Sequence, residues 1–175
     1  KVCLDAGVAN LEVLLSVAEI SVAFAGFAGI VTALANRDQG RIHPGNLTRF
    51  QLMIYSSVLS TLFALFPFCF ALFDAHLDWA PVHALFAAFL SLFLIFQCRV
   101  FYRQVKQQLL NGYVSLFLFS LGCIAALIQW CASLGLLESG IAPYFLGVFY
   151  LLLCSGVSFI RLLSATVFGA AESKD

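Results

Sequence analysis

Five apolar stretches, each long enough to cross a lipid bilayer, occupy most of this 175-residue chain. A membrane-spanning helix needs about 20 predominantly apolar residues, because each residue advances about 1.5 Å through roughly 30 Å of hydrocarbon. The stretches that meet this length are Leu11–Ala35, Phe50–Phe73, Trp79–Phe101, Tyr113–Leu137 and Ala142–Leu163. The sequence therefore predicts an all-α, polytopic integral membrane protein, with residues 1–175 forming a single transmembrane domain of five helices.

The composition excludes an ordinary soluble domain. Hydrophobic residues make up 62% of the chain and charged residues only 10%, against about 45–50% and about 25% in soluble proteins. A soluble protein of this size could not bury so much apolar surface, and large exposed apolar patches promote association in water. The net charge of zero carries little information, because the distribution of charge is what orients a membrane protein.

The basic residues fall almost entirely on alternate connections between the apolar stretches. One side carries eight of the nine, namely Arg37, Arg41, Arg49, Arg99, Arg103, Lys106, Arg161 and Lys174, and the other side carries only Lys1. Short loops rich in Lys and Arg stay in the cytoplasm. We therefore predict an N-terminus outside and a C-terminus in the cytoplasm, in a bacterial inner membrane or another plasma membrane. An outside N-terminus that begins with Lys1 is expected if a signal peptide has been removed or an upstream segment is missing.

Small residues spaced four apart predict where the helices touch, since helices in lipid associate through close backbone approach. The first stretch has such a face, and the fourth has another. We predict helix packing at Ser21, Ala25, Gly26, Gly29, Ala33, Gly122 and Ala126. The third stretch carries Phe86, Phe89, Phe93 and Phe96 along one side, and we expect this bulky stripe to face lipid. The short connections at 74–78 and 138–141 predict antiparallel contact between stretches two and three and between stretches four and five.

Pro67 lies inside the second stretch and predicts a bend. Proline has no backbone N–H and crowds the carbonyl four residues earlier, which is that of Phe63. Membrane helices tolerate such breaks where a neighbouring group satisfies the freed carbonyl. Pro67 is therefore a candidate hinge, and a static bend is the alternative.

Glu19 is the most unusual single residue, because an ionisable side chain within a span is costly and marks a functional site by default. Glu12 and Ser16 precede it at helical spacing and extend a polar line to the predicted outer surface. Gln129, in the fourth stretch, has a similar predicted depth, so a Glu19–Gln129 hydrogen bond is possible if the two helices touch. These four residues are candidates for an ion pathway or for a buried polar contact; a protonated glutamate that only holds helices together is the alternative.

Metal and cofactor sites have little support in the sequence. Carboxylates and imidazoles are good ligands for divalent metals, which makes Asp74, His76, Asp78 and His83 weak metal candidates. Their spacing matches no recognised site, and Asp78 can instead cap the third helix. No HExxH, GxSxG, P-loop, GxGxxG or CxxC motif occurs, so the sequence predicts no cofactor and no catalytic residues, and it favours a protein that is not an enzyme.

Two functions remain. In the first, several copies assemble around the first helix, and its polar line conducts a small ion. In the second, the protein is a non-catalytic structural or accessory subunit of a larger membrane complex, and the same helix docks a partner. Five spans leave little room for an internal cavity, which favours a homo-oligomer or a complex with other membrane subunits. The predicted partners are therefore the lipid bilayer and these subunits, without nucleic acid.

Overall fold

The computed structural model describes residues 12–27, 29–30, 44–73, 79–106, 112–138 and 140–172. These residues form five helices and no strand. The helix α1 covers residues 12–27, and it is followed by α2 (Pro44–Phe73), α3 (Trp79–Lys106), α4 (Gly112–Ser133) and α5 (Ile141–Glu172). The all-α prediction is confirmed for this part of the chain.

Four of the helices are long and apolar enough to cross a membrane. Their apolar segments are Phe50–Cys69, Trp79–Tyr102, Tyr113–Ser133 and Ile141–Ser164, of 20 to 24 residues each. At about 1.5 Å per residue these lengths match a hydrocarbon core of roughly 30 Å. The described part of α1 does not qualify as a span by the same measure.

The helix α5 is the centre of the bundle. The helix α2 packs chiefly against α5, the helix α3 packs chiefly against α4, and α4 also packs against α5. The buried face of α1, formed by Leu14, Val17, Ala18 and Ser21, joins the same core. Farther along α1, Phe24 lies 5.7 Å from Phe159 of α5, measured between ring centroids.

The consecutive helices α2 and α3 approach each other less closely than the short 74–78 connection predicts. Aromatic rings separate their backbones. Phe63 and Phe86 have ring centroids 4.5 Å apart, and Tyr55 and Phe96 have centroids 5.7 Å apart. The two helices therefore meet through their side chains, whereas α2 and α5 meet through small hydroxyl-bearing residues that allow the backbones to come close.

The prediction of a lipid-facing Phe stripe on α3 is wrong for half of its members. Phe86 and Phe93 are buried, whereas Phe89 and Phe96 are partly exposed. Phe86 fits inside the bundle because Gly147 on α5 has no side chain, and a Cβ atom there would lie 2.5 Å from the Phe86 ring. Glycine on one helix thus makes room for an aromatic ring from another.

The helix α4 ends at Ser133, four residues before the end of the predicted stretch. Gly135 adopts a left-handed conformation with φ +72°. The Leu136 N–H bonds to the Cys131 carbonyl at 2.9 Å, and the Gly135 N–H bonds to the Ala132 carbonyl at 3.3 Å. This is a Schellman motif, in which a glycine just past the last helical residue lets the chain turn away. Hydropathy alone could not detect this end, because Leu134, Leu136 and Leu137 are themselves apolar.

Candidate polar site at one end of the bundle

A buried polar cluster joins α3, α4 and α5 near the α4–α5 turn. His83 lies one helical turn from the start of α3, and Gln129 lies one turn from the end of α4; both are fully buried. Their side chains meet with 2.6 Å between His83 Nδ1 and Gln129 Oε1. The other ring nitrogen, Nε2, lies 3.1 Å from the carbonyl oxygen of Gly140 in the turn. We call these groups, together with Pro143 and Tyr144, the His83 cluster.

The helix α5 supplies the rest of the cluster. The amide nitrogen of Gln129 donates a hydrogen bond to the Pro143 carbonyl in the first turn of α5, at 2.5 Å. Gly147 makes this bond possible, because a Cβ atom at position 147 would lie 2.8 Å from the same amide nitrogen. The sequence feature that positions Gln129 is therefore a glycine on another helix.

Aromatic rings enclose His83. The centroids of the Trp79 and Tyr144 rings lie 6.1 Å and 5.8 Å from that of the imidazole. Phe86 packs in turn on Tyr144, with 5.0 Å between centroids. A polar pair is thereby held in largely apolar surroundings, where an unmade hydrogen bond would be expensive.

Tyr144 also links the cluster to Pro67, the predicted hinge. Its hydroxyl donates a hydrogen bond of 2.7 Å to the carbonyl of Phe63, which is the carbonyl that Pro67 cannot satisfy. The helix α2 continues through Pro67, and the proline is buried. The neighbouring group that satisfies the carbonyl left free by Pro67 is therefore the hydroxyl of Tyr144, from α5.

A second polar region lies between α1, α2 and α5, near the middle of the spans. Ser57 and Ser155 have hydroxyl oxygens 2.5 Å apart, and Ser21 donates to Ser60 at 2.9 Å. Ser60 lies within 3.5 Å of the Val148 carbonyl. Among the described residues, no buried side-chain nitrogen or oxygen lacks a hydrogen-bond partner. These hydroxyls therefore join helices, and their bonds are already made within one chain.

The candidates for an ion pathway separate into two groups in the structure. Glu12, Ser16 and Glu19 are exposed on α1, on the side that faces away from the bundle. Gln129 is buried, and it bonds to His83 and Pro143 instead of Glu19. Equal depth suggested the Glu19 pairing, but depth does not say which helices are neighbours, and Gln129 belongs to the contact between α3, α4 and α5.

The predicted packing residues also divide. Ser21, Gly122 and Ala126 are buried, and Ala25 is half-buried. A side chain at Gly122 would overlap Tyr150 of α5 and Leu94 of α3. Gly26 and Gly29 are exposed, and a Cβ atom at either would meet nothing within 4 Å. Ala33 lies outside the described residues.

The weak metal candidates are mostly outside the described residues, since Asp74, His76 and Asp78 fall in the 74–78 segment. His83 is described, and both of its ring nitrogens are engaged by oxygen atoms of the chain. Neither nitrogen is therefore available to a metal. The part of the chain that the structure describes contains no group of three or more His, Cys, Asp or Glu side chains placed to hold a metal ion.

Sequence reasoning found Gln129 but missed its connection to His83. The sequence did contain a signal for this contact. His83 lies one turn from the start of α3, Gln129 lies one turn from the end of α4, and these two helix ends are on the same side of the bundle. The chain matches no protein-family model, no curated protein and no solved structure.

Proposed function

We propose that this protein is an oligomeric small-ion conduction pathway in a plasma membrane, such as a bacterial inner membrane, and that copies assemble around the exposed face of α1. The observation that carries the proposal is the position of Glu19. Its side chain is exposed on α1, yet α1 lies against the apolar segments of α2 and α5.

The depth of Glu19 follows from its neighbour Ser21. Ser21 bonds to Ser60, and Ser60 lies near the midpoint of the apolar segment Phe50–Cys69. Glu19 is two residues from Ser21, which is about 3 Å along the helix axis. With α1 as a fifth span, which the apolar stretch Leu11–Ala35 allows, Glu19 would sit close to the bilayer centre and face outward from the bundle.

An outward-facing carboxyl group at that depth needs a cover other than lipid. An acidic side chain at the centre of a span costs about 3 kcal/mol on insertion scales, and such residues almost always face a protein interior or a water-filled cavity. Glu12 and Ser16 continue the same exposed line toward one end of α1. Several copies that turn these faces toward a common axis would create a polar path lined by Glu12, Ser16 and Glu19.

The interior of a single bundle is a poor alternative path. Its hydroxyls between α1, α2 and α5 bond to one another or to backbone carbonyls. A conducting ion would have to break these bonds, and the surrounding residues are apolar. This arrangement favours a path between copies over a path within one copy.

A second candidate function uses the same surface. Ala23 and Gly26 are exposed on the same side of α1 as Glu19, and small residues let a partner helix approach closely. In an accessory subunit, the face of Glu19, Ala23 and Gly26 would dock one helix of a different protein. Glu19 would then be a buried hydrogen-bonding group with no role in transport.

The test compares two substitutions of Glu19 in lipid vesicles. Glu19→Gln keeps the shape and the hydrogen-bonding capacity but removes the ionisable group. On the channel proposal, this variant assembles normally, and its ion flux falls to near the background of empty vesicles. Glu138→Gln, at an exposed position of the α4–α5 connection, is the matched control and keeps its flux.

Glu19→Leu tests assembly separately. It should reduce the oligomer population, measured as particle mass in a gentle detergent, because it removes an interhelical hydrogen bond worth about 1–2 kcal/mol. A Glu19→Gln variant with full flux would contradict the channel proposal. A single copy of the chain bound to different membrane proteins would favour the accessory subunit.

A further inference from the structure

The charged residues of the described helices are unevenly divided between the two ends of the bundle. At the end that contains the His83 cluster, the described residues include no Lys or Arg. The opposite end carries five basic residues at helical positions, namely Arg49 of α2, Arg99, Arg103 and Lys106 of α3, and Arg161 of α5. Glu172, the described acidic residue there, lies eight residues beyond the apolar segment that ends at Ser164. This end of the bundle, which we call the basic end, therefore attracts negative charge.

Two of the basic residues, Arg99 and Arg161, lie inside apolar segments rather than beyond them. Each is three residues from the end of its segment, which is Tyr102 on α3 and Ser164 on α5. Three helical residues correspond to about 4.5 Å, so a long arginine side chain reaches from there to the level of the lipid head groups. Tyr102 and Tyr113 are 71% and 88% exposed at the ends of their segments, and tyrosine is enriched where a span meets the head groups. With these segments across the hydrocarbon core, both guanidinium groups reach the depth of the lipid phosphates.

A contact with α4 holds the Arg161 side chain in place. Its Nη1 donates a hydrogen bond of 3.3 Å to the hydroxyl oxygen of Ser115, and both side chains are half-buried. Ser115 is the third residue of the apolar segment of α4, so the two residues lie at a similar distance from the basic end. A side chain that is already held by another helix loses less freedom when it binds a ligand. Arg99, in contrast, is exposed on α3.

We propose that the basic end binds the phosphate group of an anionic phospholipid between α4 and α5, with the Arg161 guanidinium as its principal contact. The planar guanidinium presents paired N–H donors that match two oxygen atoms of a phosphate. The other basic residues of this end favour a lipid of net negative charge over a zwitterionic one. The inference goes beyond the proposed function, because it concerns the ends of α3, α4 and α5 and needs neither an oligomer nor the exposed face of α1.

The residues beside the Arg161–Ser115 contact favour a lipid over a free phosphate ion. Leu116 and Phe117 follow Ser115 on α4, Ile160 precedes Arg161 on α5, and all three apolar side chains are exposed. They belong to apolar segments and lie on the hydrocarbon side of the phosphate level, where the acyl chains of a lipid are found. A lipid can therefore use both the guanidinium and the apolar surface, whereas a free ion can use only the guanidinium.

The first test uses the full wild-type chain in a neutral detergent. Phosphatidylglycerol and phosphatidylcholine with the same acyl chains are titrated in, and bound lipid is counted by native mass spectrometry. We expect phosphatidylglycerol to bind at least about tenfold more tightly, because each basic residue near the surface favours an anionic lipid by about fivefold. Inorganic phosphate at the same concentrations should not displace it. Equal affinity for the two lipids, or displacement of phosphatidylglycerol by inorganic phosphate, would overturn the proposal.

Substitutions then locate the binding site. Arg161→Gln should lower the affinity for phosphatidylglycerol about tenfold or more, since it removes charged hydrogen bonds to the phosphate. Arg99→Gln removes the same charge from an exposed position of the same end, and it should lower the affinity about fivefold or less. Equal losses in these two variants would indicate a general attraction of charge without a site at Arg161, against the proposal.

Arg161→Lys provides a measurement that does not depend on the folding of Arg161→Gln. Lysine keeps the positive charge but lacks the paired donors of the guanidinium. The affinity of this variant for phosphatidylglycerol should therefore lie below that of the wild type. Wild-type affinity in Arg161→Lys would show that the guanidinium is not the principal contact and would contradict the proposal.

Discussion

Pro67 removes a backbone donor from α2 about two turns before the helix ends, and a side chain from α5 compensates for the loss. The Tyr144 hydroxyl bonds to the Phe63 carbonyl at 2.7 Å, four residues before the proline. The two residues form one unit, since the proline creates a free carbonyl and the tyrosine satisfies it. This bond also fixes the ring that packs against His83, so the proline on α2 helps to shape the polar cluster between α3, α4 and α5.

Tyr144→Phe should therefore lower the free energy of unfolding by about 1 kcal/mol, a typical value for an interhelical hydrogen bond in a membrane protein. Tyr150→Phe is the comparison on the same helix, because the Tyr150 hydroxyl bonds to the side chains of Gln97, at 3.4 Å, and Cys154, and not to a carbonyl that a proline leaves free. In a Pro67→Ala background the backbone N–H of residue 67 can bond to the Phe63 carbonyl, so Tyr144→Phe should cost less there. Denaturant unfolding in detergent measures the stability of all of these variants. An equal cost of Tyr144→Phe in both backgrounds would show that the contribution of the Tyr144 hydroxyl does not depend on Pro67.

At the scale of the helices, glycines set the distances within the bundle. On α5, Gly147 leaves room for both the Phe86 ring and the Gln129 amide. At Gly156, in contrast, an added Cβ atom would lie 3.7 Å from the Phe24 ring, which is an ordinary contact distance. Gly26 on α1 and Gly29, two residues beyond it, face open space. Glycine in the middle of a helix is unfavourable by up to about 1 kcal/mol relative to alanine. The helix α5 therefore has glycine, a poor helix former, at the position where side chains from α3 and α4 occupy the space of a Cβ atom.

Gly147→Ala should destabilise the bundle by about 1–3 kcal/mol, because its methyl group would overlap Phe86 and Gln129. Gly156→Ala on the same helix should be neutral or slightly stabilising, since its Cβ atom fits at 3.7 Å. Unfolding midpoints of the two variants, measured side by side, check the difference. Equal destabilisation by the two variants would mean that the contacts at Gly147 have no special role.

At the scale of the whole molecule, the bundle has two ends with different chemistry. The start of α3, the end of α4 and the start of α5 form the end that contains the His83 cluster. Among the described residues, Arg99 and Arg161 lie toward the opposite end, where the Arg161 side chain donates a hydrogen bond to Ser115. From the excess of Lys and Arg on alternate short loops of the sequence, we predict that this end faces the cytoplasm.

We predict that single cysteines at positions 39 and 107 react with a membrane-impermeant thiol reagent only from the cytoplasmic side. Cysteines at positions 77 and 139 should react only from outside. The background is a chain whose native cysteines are replaced, because Cys69, Cys98 and Cys123 are exposed thiols. Labelling of position 77 from the cytoplasm would reverse the proposed orientation. If positions 39 and 107 react from opposite sides of the membrane, or positions 77 and 139 do, the number of spans differs from the prediction.

The sequence by itself determined the class of the protein and most of its helices. Apolar length fixes where spans can lie, since backbone polar groups in lipid must be satisfied within a helix. For this reason the apolar segments of α2, α3 and α5 fall close to the predicted stretches, although the helices themselves extend farther at one end. The tertiary structure alone decided the pairing of polar side chains. Gln129 bonds to His83 because α3 and α4 pack against each other, and Gly147 on α5 leaves room for its amide to reach Pro143. Such contacts depend on which helices are neighbours, and neither periodicity nor depth along a single helix specifies that.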